Sequence, residues 1–197
     1  MGLERVTVKA SSTKREYAMT SQQVLTFWFE QTTPAQWFEK DARFDQQIQQ
    51  QFGKLHARVA AAELSEWRSS SEGRLAEIIV LDQFSRNLYR DQAAAFACDP
   101  MALALAQEAI AAGADQQLNA VQCSFLYMPF MHSESRLIHE KALVLFTQLG
   151  NDNNLKFEKL HKAIIDRFGR YPHRNAVLGR TSTPEELEFL QQPNSAF

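Results

Sequence analysis

Residues 75–88 read LAEIIVLDQFSRNL, and this stretch decides the fold class. At about 100° per residue, its apolar side chains cover almost the whole circumference of a helix, and only a few polar groups interrupt them. A helix that is apolar nearly all round is a buried helix. The stretch therefore predicts a helix in the interior of the protein.

Helical patterns extend outward from this stretch over nearly the whole chain. Capping boxes open a first helix at Thr20 and a short last helix at Thr183. No stretch alternates as a half-buried strand does, so we predict an all-α fold of antiparallel helix pairs, as a helical bundle or a short solenoid. The predicted helices cover residues 20–29, a long second helix through 44–55, 73–88, 99–112, 119–128, 133–150, 155–168 and a few residues after 183.

Local signals mark several helix ends. Asp99 and Ser133 have the residue types that favour N-caps, and Pro129 is the predicted end of the helix over residues 119–128. Gly113 and Gly150 stand where helices stop. If Ser133 is a cap, Glu134 lies in the first helical turn, which would explain both residues without a functional role.

Composition limits the class of protein. The 197 residues suit one all-helical domain over 20–192, with a disordered extension over 1–19 and a tail over 193–197. The net charge of −2 makes nucleic acid an unlikely partner. Two cysteines are too few for a disulfide framework, no apolar run suggests a membrane helix, and we expect a cytoplasmic protein.

Polar residues inside the buried helix are the first candidate site. Asp82 and Arg86 are four residues apart, a spacing at which their side chains meet. One interpretation is a structural ion pair that locks two helices together. The other is that Asp82, Gln83 and Arg86 line an internal pocket, because a desolvated ion pair is a poor source of stability.

Histidines and arginines supply the rest of the candidate site. His132 is not explained by capping, and His161 lies within the apolar face of the helix over 155–168, where a histidine bonded to a backbone carbonyl is the common alternative. Residues 167–180 concentrate arginines among turn residues, which favours a carboxylate or phosphate site, or else arginines that tie down the C-terminal segment. The ligand-binding candidates in this segment are Arg167, Arg170, His173, Arg174, Asn175 and Arg180.

No metal or other cofactor is expected. His132, His161, His173 and Glu134 have no metal-ligand spacing. The sequence His132-x-Glu134 is part of the zinc deaminase signature, but no Pro-Cys-x-x-Cys follows it. No motif indicates whether the protein forms a homo-oligomer.

Short motifs spread over most of the chain carry a family resemblance. They are FWF at 27–29, WF at 37–38, FD at 44–45, LDQFSRN at 81–87, F-x-x-D at 96–99, PFMHSE at 129–134, RFGRYPHRN at 167–175, LGR at 178–180 and TPEE at 183–186. With these motifs the chain resembles the uncharacterised bacterial family called domain of unknown function 924, from about residue 22 to residue 190. The resemblance implies a tetratricopeptide-like helical fold and a bacterial, cytoplasmic protein, but no activity. Ser85 stands where a proline often follows the aromatic residue, so we expect an unkinked helix there.

These observations leave three hypotheses for function. The first is a helical binding module whose polar pocket takes an anionic small molecule or peptide. The second is an enzyme on an anionic substrate, in which His132 or His173 moves protons and Glu134 or Asp82 orients the histidine. The third is a purely structural polar core that specifies helix packing.

Overall fold

The computed structural model describes residues 19–193 and residue 195. Of the predicted N-terminal extension only Met19 is described, and of the predicted tail only Pro193 and Ser195. The α-helices are α1 (Ser21–Thr26), α2 (Pro34–Phe38), α3 (Ala42–Ala60), α4 (Ser71–Ile79), α5 (Ser85–Leu88), α6 (Asp99–Ala111), α7 (Ala120–Met131), α8 (Arg136–Leu149), α9 (Asp152–Phe168) and α10 (Pro184–Phe189). Single π-helical turns are Phe27–Gln31 and Val80–Phe84, and 3₁₀ turns are Ser65–Ser69, Ala93–Phe96, Ala114–Gln116 and Pro172–Arg174.

The all-α prediction is confirmed, since residues 19–193 contain helices and no strand. Consecutive helices pack on each other in the C-terminal half, where α8 contacts both α7 and α9. Short connections such as residues 150–151 between α8 and α9 bring sequential helices together as antiparallel neighbours. The tetratricopeptide-like arrangement stays a prediction.

The core is built around the run from α4 through the π-turn to α5. Leu75, Ile78 and Leu81 are fully buried, so the prediction of an interior helix is confirmed. Helix α4 packs against α1, α6 and α7. Aromatic rings fill the space beside it, with the Phe52 ring centroid 4.9 Å from that of Phe84, a separation at which aromatic pairs attract.

Several predicted helix ends agree with the structure. Thr20 and Thr183 both form complete capping boxes, in which the side chain of the third helical residue bonds back to the cap. Helix α8 stops at Gly150, whose φ of +71° lies in the left-handed region that favours glycine.

Three predicted ends are wrong. Asp99 is the first residue of α6 rather than its cap, and its side chain makes tertiary contacts instead. Helix α7 continues through Pro129 to Met131. Because Pro129 has no backbone N–H, the helix lacks one hydrogen bond there, inside a well-packed core. Helix α8 begins at Arg136 after Ser135, so Ser133 is not a cap and Glu134 lies outside the first turn.

The run over residues 71–88 also differs from the unkinked helix that we expected. A π-helical turn, Val80–Phe84, interrupts it at the position of Asp82. Such turns insert one residue into the α-helical ladder and are frequent at functional sites. The turn changes the direction in which the polar residues after it project.

Residues Ala93–Ala111 are long and apolar enough to cross a membrane, by length and composition alone. The sequence did not predict such a segment, because Asp99 interrupts its apolar run. One face of the segment, with Ala102, Ala106 and Ala109, is buried against the rest of the protein. A single helix of this kind is equally typical of a globular core, and the absence of membrane contact stays a prediction.

Candidate functional site

A cleft of about 390 Å³ opens among three parts of the chain. They are the start of α6 with the 3₁₀ turn before it, the corner between α7 and α8, and the segment around Pro172–Arg174. Polar lining residues come from all three parts, and apolar residues fill the space between them. The lining is Ala93, Phe96, Ala97, Asp99, Pro100, Leu103, Pro129, His132, Ser133, Glu134, Arg174 and Leu178.

The Asp82–Arg86 pair forms as its spacing predicted, but it has a third member. Arg86 Nη1 lies 3.1 Å from Asp82 Oδ1. The same guanidinium bonds both oxygens of Asp99, with Nη1–Oδ1 at 3.0 Å and Nη2–Oδ2 at 3.1 Å. Two carboxylates therefore share one arginine between the core and the cleft.

Asp82 also holds His132, which lies on the cleft wall. Oδ1 of Asp82 is 2.7 Å from Nδ1 of His132, and Gln83 donates to Oδ2 at 2.6 Å. Burial acts to raise the pKa of Asp82, but Arg86 and His132 together hold that pKa well below its usual range. Burial, with Arg86, lowers the pKa of His132. A neutral His132 beside an ionised Asp82 donates from Nδ1, which leaves the lone pair on Nε2.

Glu134, at the same corner, is held by Arg180. The two side chains form a bidentate pair, with Nη1–Oε2 at 2.6 Å and Nη2–Oε1 at 2.9 Å, and the Tyr171 N–H donates to Oε1 at 2.8 Å. Burial opposes ionisation, but the hydrogen bond from Arg180 lowers the pKa of Glu134 overall. The charge of Glu134 is thus compensated within the protein.

Arg174 is the arginine of this segment that reaches the cleft without a carboxylate of its own. It is 6% exposed, and its Nη1 lies 3.3 Å from Asp99 Oδ2, an oxygen that Arg86 also bonds. Its guanidinium carbon is 4.5 Å from the ring centroids of both Phe96 and Tyr171. Its Nε is buried and has no hydrogen-bond partner among the described residues. Burial and the nearby Arg86 lower the pKa of Arg174.

The other two candidate histidines lie beside the cleft rather than in its lining. His161 donates from Nδ1 to the Phe157 carbonyl at 2.8 Å, as the structural alternative supposed, and its ring centroid is 6.4 Å from that of His132. Burial lowers the pKa of His161 to about 3 and that of His173 to about 4. Nδ1 of His173 is buried without a partner among the described residues.

Of the predicted ligand-binding residues, His132, Glu134 and Arg174 line the cleft, whereas Asp82, Gln83, Arg86 and Arg180 lie behind the lining and bond to those three residues or to Asp99 and Asp82. Three further candidates hold the C-terminal segment instead. Arg167 bonds Glu185, and Arg170 bonds both oxygens of Glu186 at 2.6 and 2.7 Å. Asn175 donates to Ser182 and Glu186. These contacts hold α10 and the segment before it, which is the structural alternative for this part of the arginine cluster.

Two residues that complete the site were not among the predicted candidates. In the sequence, Asp99 was identified only as a predicted helix cap and as part of the motif F-x-x-D at 96–99, and neither pattern indicated a role in the site. Tyr171 stacks on Arg174 and donates its hydroxyl to the Met131 carbonyl at 2.5 Å. Within residues 19–193, there is no group of three or more His, Cys, Asp or Glu side chains that could hold a metal ion.

The fold and the cleft define an all-helical protein with a buried polar network beside a small, partly apolar cleft. The chain belongs to the family described as bacterial protein of unknown function (DUF924), whose model matches residues 24–194. The protein of unknown function ATU0120 from Agrobacterium tumefaciens has a similar solved structure, with a TM-score of 0.83 and 38% sequence identity. The match covers 87% of this chain and 96% of that one. No curated protein matches the chain.

Proposed function

We propose that the cleft binds a small organic anion, a molecule with a carboxylate or phosphate group and an apolar body. The single observation that carries this proposal is the environment of Arg174. Arg174 is a buried cation on the cleft wall, and it shares its one carboxylate partner with Arg86. A buried charge that is incompletely paired costs free energy, which an anionic ligand would recover.

The stacking of Arg174 favours an anion with two oxygens in one plane. Phe96 and Tyr171 cover the faces of the guanidinium, so its N–H groups are available only at the edges. Nη1 points to Asp99, whereas no described residue bonds Nε. The edge formed by Nε and Nη2 has the geometry that pairs with a carboxylate or phosphate through two parallel hydrogen bonds.

The carboxylates in the cleft do not oppose this proposal. Asp99 is bonded by Arg86 through both oxygens, and Glu134 is bonded by Arg180 in the same way. Because Arg86 also pairs with Asp82, Arg86 and Arg174 together balance the charges of Asp82 and Asp99, and Arg180 balances that of Glu134. The network therefore carries no net negative charge that would repel an anion, and Arg174, which bonds the described residues only through Nη1 at 3.3 Å, keeps other N–H groups from which an anion can accept.

The size and lining of the cleft favour a small molecule over a peptide. Its volume of about 390 Å³ is near the lower end of the range for small-molecule sites. Phe96, Leu103, Pro129 and Leu178 give it apolar walls. These walls suit a short hydrocarbon or aromatic group attached to the acid.

A thermal-shift titration with benzoate, hexanoate and inorganic phosphate at constant ionic strength tests the proposal. We expect benzoate or hexanoate to raise the melting temperature, since a ligand at about 100 times its Kd stabilises by about 2.7 kcal/mol. Arg174→Met should abolish the shift. Arg167→Met is the matched control, because Arg167 pairs with Glu185 away from the cleft. Equal shifts in the wild type and Arg174→Met, or no shift with any of the three anions, would contradict the proposal.

A further inference from the structure

We infer that Asp82 and His132 form a general-base pair that activates water for the hydrolysis of an ester held in the cleft. This inference goes beyond anion binding and rests on the proposed function only in placing the reactant in the same cleft. It depends on the contacts of one histidine, whose two ring nitrogens have different surroundings.

The Asp82 carboxylate is fixed firmly enough to orient His132. Asp82 is 1% exposed, its Oδ1 contacts His132 at 2.7 Å and Arg86 at 3.1 Å, and its Oδ2 accepts from Gln83 at 2.6 Å. A buried carboxylate on one ring nitrogen sets the tautomer and stabilises the imidazolium that forms when the other nitrogen takes a proton. Asp82 is thus a positioning residue.

His132 differs from the structural histidine nearby. His139 is fully buried, and its Nδ1 contacts Glu158 at 2.8 Å while its Nε2 contacts the Ser133 carbonyl at 2.8 Å. His132 has a carboxylate on Nδ1, no described residue bonds its Nε2, and its side chain lines the cleft. A histidine anchored on one side only, at the wall of a cleft, has the arrangement of a general base.

The reaction balances with water as the only co-reactant. Nε2 of His132 takes a proton from water while the water oxygen forms a bond to the carbonyl carbon of the ester. The ester C–O bond then breaks, and the imidazolium returns the proton to the leaving alkoxide. Ester and water become carboxylic acid and alcohol, and the acid is the kind of anion that the cleft is proposed to bind.

The groups around His132 support activity at neutral pH. It faces Asp82 and Arg86 from the run over 71–88, Asp99 from α6 and His161 from α9, and it shares the cleft with Glu134 and Arg174. Because its pKa is lowered from 6.5, His132 is unprotonated at pH 7. We expect a rate that rises with pH and reaches a plateau before pH 7.

Hydrolysis of p-nitrophenyl acetate by the full chain tests the inference. His132→Gln keeps an amide donor that can reach Asp82 but has no basic nitrogen, and we expect it to lower kcat/KM by about 10²-fold or more. Asp82→Asn should lower the rate and alter the pH profile, whereas a structural role would leave the profile unchanged. Asp91→Asn is the control, since Asp91 forms an exposed pair with Lys40 and does not line the cleft, and it should keep the wild-type rate.

Each outcome bears on the inference separately from anion binding, because p-nitrophenyl acetate is uncharged. Equal kcat/KM values for the wild type and folded His132→Gln would overturn the inference, as would a wild-type rate no higher than that of buffer. If Arg174→Met loses benzoate binding and His132→Gln retains the rate, the binding proposal stands and the general-base inference fails. If Asp82→Asn does not fold, His132→Gln and the wild-type pH profile decide the question.

Discussion

Asp99 shows, at the scale of one residue, how a tertiary contact overrides a local signal. The Asp-Pro pair is typical of a helix start, but the carboxylate bonds Arg86 and Arg174 instead of its own backbone. The i, i+4 rule predicted the Asp82–Arg86 contact. No comparable rule links Asp82 to His132, which is fifty residues away, so that pair had to be seen in the structure.

Asp99→Asn should lower the free energy of unfolding by about 1–3 kcal/mol, because the buried Arg174 keeps only a neutral acceptor and Arg86 keeps only the carboxylate of Asp82. Urea unfolding at pH 7 measures this. Asp91→Asn is the control, since Asp91 forms an exposed pair with Lys40 that contributes about 0–1 kcal/mol. In a double-mutant cycle the loss from Asp99→Asn should be smaller in the Arg174→Met background. Equal losses in both backgrounds would show that Asp99 and Arg174 are not coupled.

At the scale of elements, the sequence predicted helices better than their junctions. Capping boxes and C-terminal glycines depend on residues within one helical turn of each other. The helix ends at Thr20, Thr183 and Gly150 were therefore predicted correctly. The α7–α8 corner was not, because the contact between Glu134 and Arg180 joins residues far apart in sequence. The π-turn at Val80–Phe84 likewise had no signal in its residue types.

Two helical glycines should respond in opposite directions to alanine. A Cβ on Gly73 would lie 1.9 Å from the Trp67 carbonyl oxygen, which is backbone, whereas a Cβ on Gly53 meets only the mobile end of the Gln49 side chain. Gly73→Ala should therefore destabilise by about 1–3 kcal/mol, and Gly53→Ala should stabilise by up to about 1 kcal/mol. Urea unfolding of both variants is the measurement, and a gain in stability for Gly73→Ala would contradict the packing of α4 against Ser65–Ser69.

The attachment of α10 should depend on pH. The hydrogen bond from Arg170 lowers the pKa of Glu186 from 4.5 to about 2, so its stabilising effect is full above pH 4.5 and is lost as the pH falls toward 2. Glu186→Gln should lower stability at pH 6 and weaken the decline of stability below pH 4.5. Unfolding curves from pH 2 to pH 6 measure this, and identical pH dependence in the wild type and Glu186→Gln would exclude the contact.

At the scale of the whole molecule, the sequence established the helical class and the interior helix, and the structure added the cleft. Periodicity and composition report burial, which is why the run around Leu81 was identified as core. A cleft arises where α6, the α7–α8 corner and the Pro172–Arg174 segment meet. That meeting depends on packing among distant segments, which no local pattern encodes.

Buried histidines should make the whole protein sensitive to mild acid. The pKa values of His161 and His173 are lowered by burial to about 3 and about 4, from 6.5. The unfolded chain therefore binds more protons below pH 6.5, and stability should fall between pH 6.5 and 4 by up to about 1.4 kcal/mol per pH unit for each such histidine. Urea unfolding across this range measures the slope, and His161→Leu should reduce it. An unchanged slope in that variant would place the acid sensitivity elsewhere.

The most direct test of the central claim, that Arg174 receives an anion in the cleft, is an NMR titration of the arginine Nε–H resonances with benzoate. The Arg174 resonance, assigned with Arg174→Met, should shift and saturate, because its Nε has no partner among the described residues. The Arg167 and Arg170 resonances should stay in place, since their Nε groups already bond Glu185 and Glu186. An Arg174 resonance that does not move while the protein binds benzoate, or that moves no more than that of Arg167, would contradict the account.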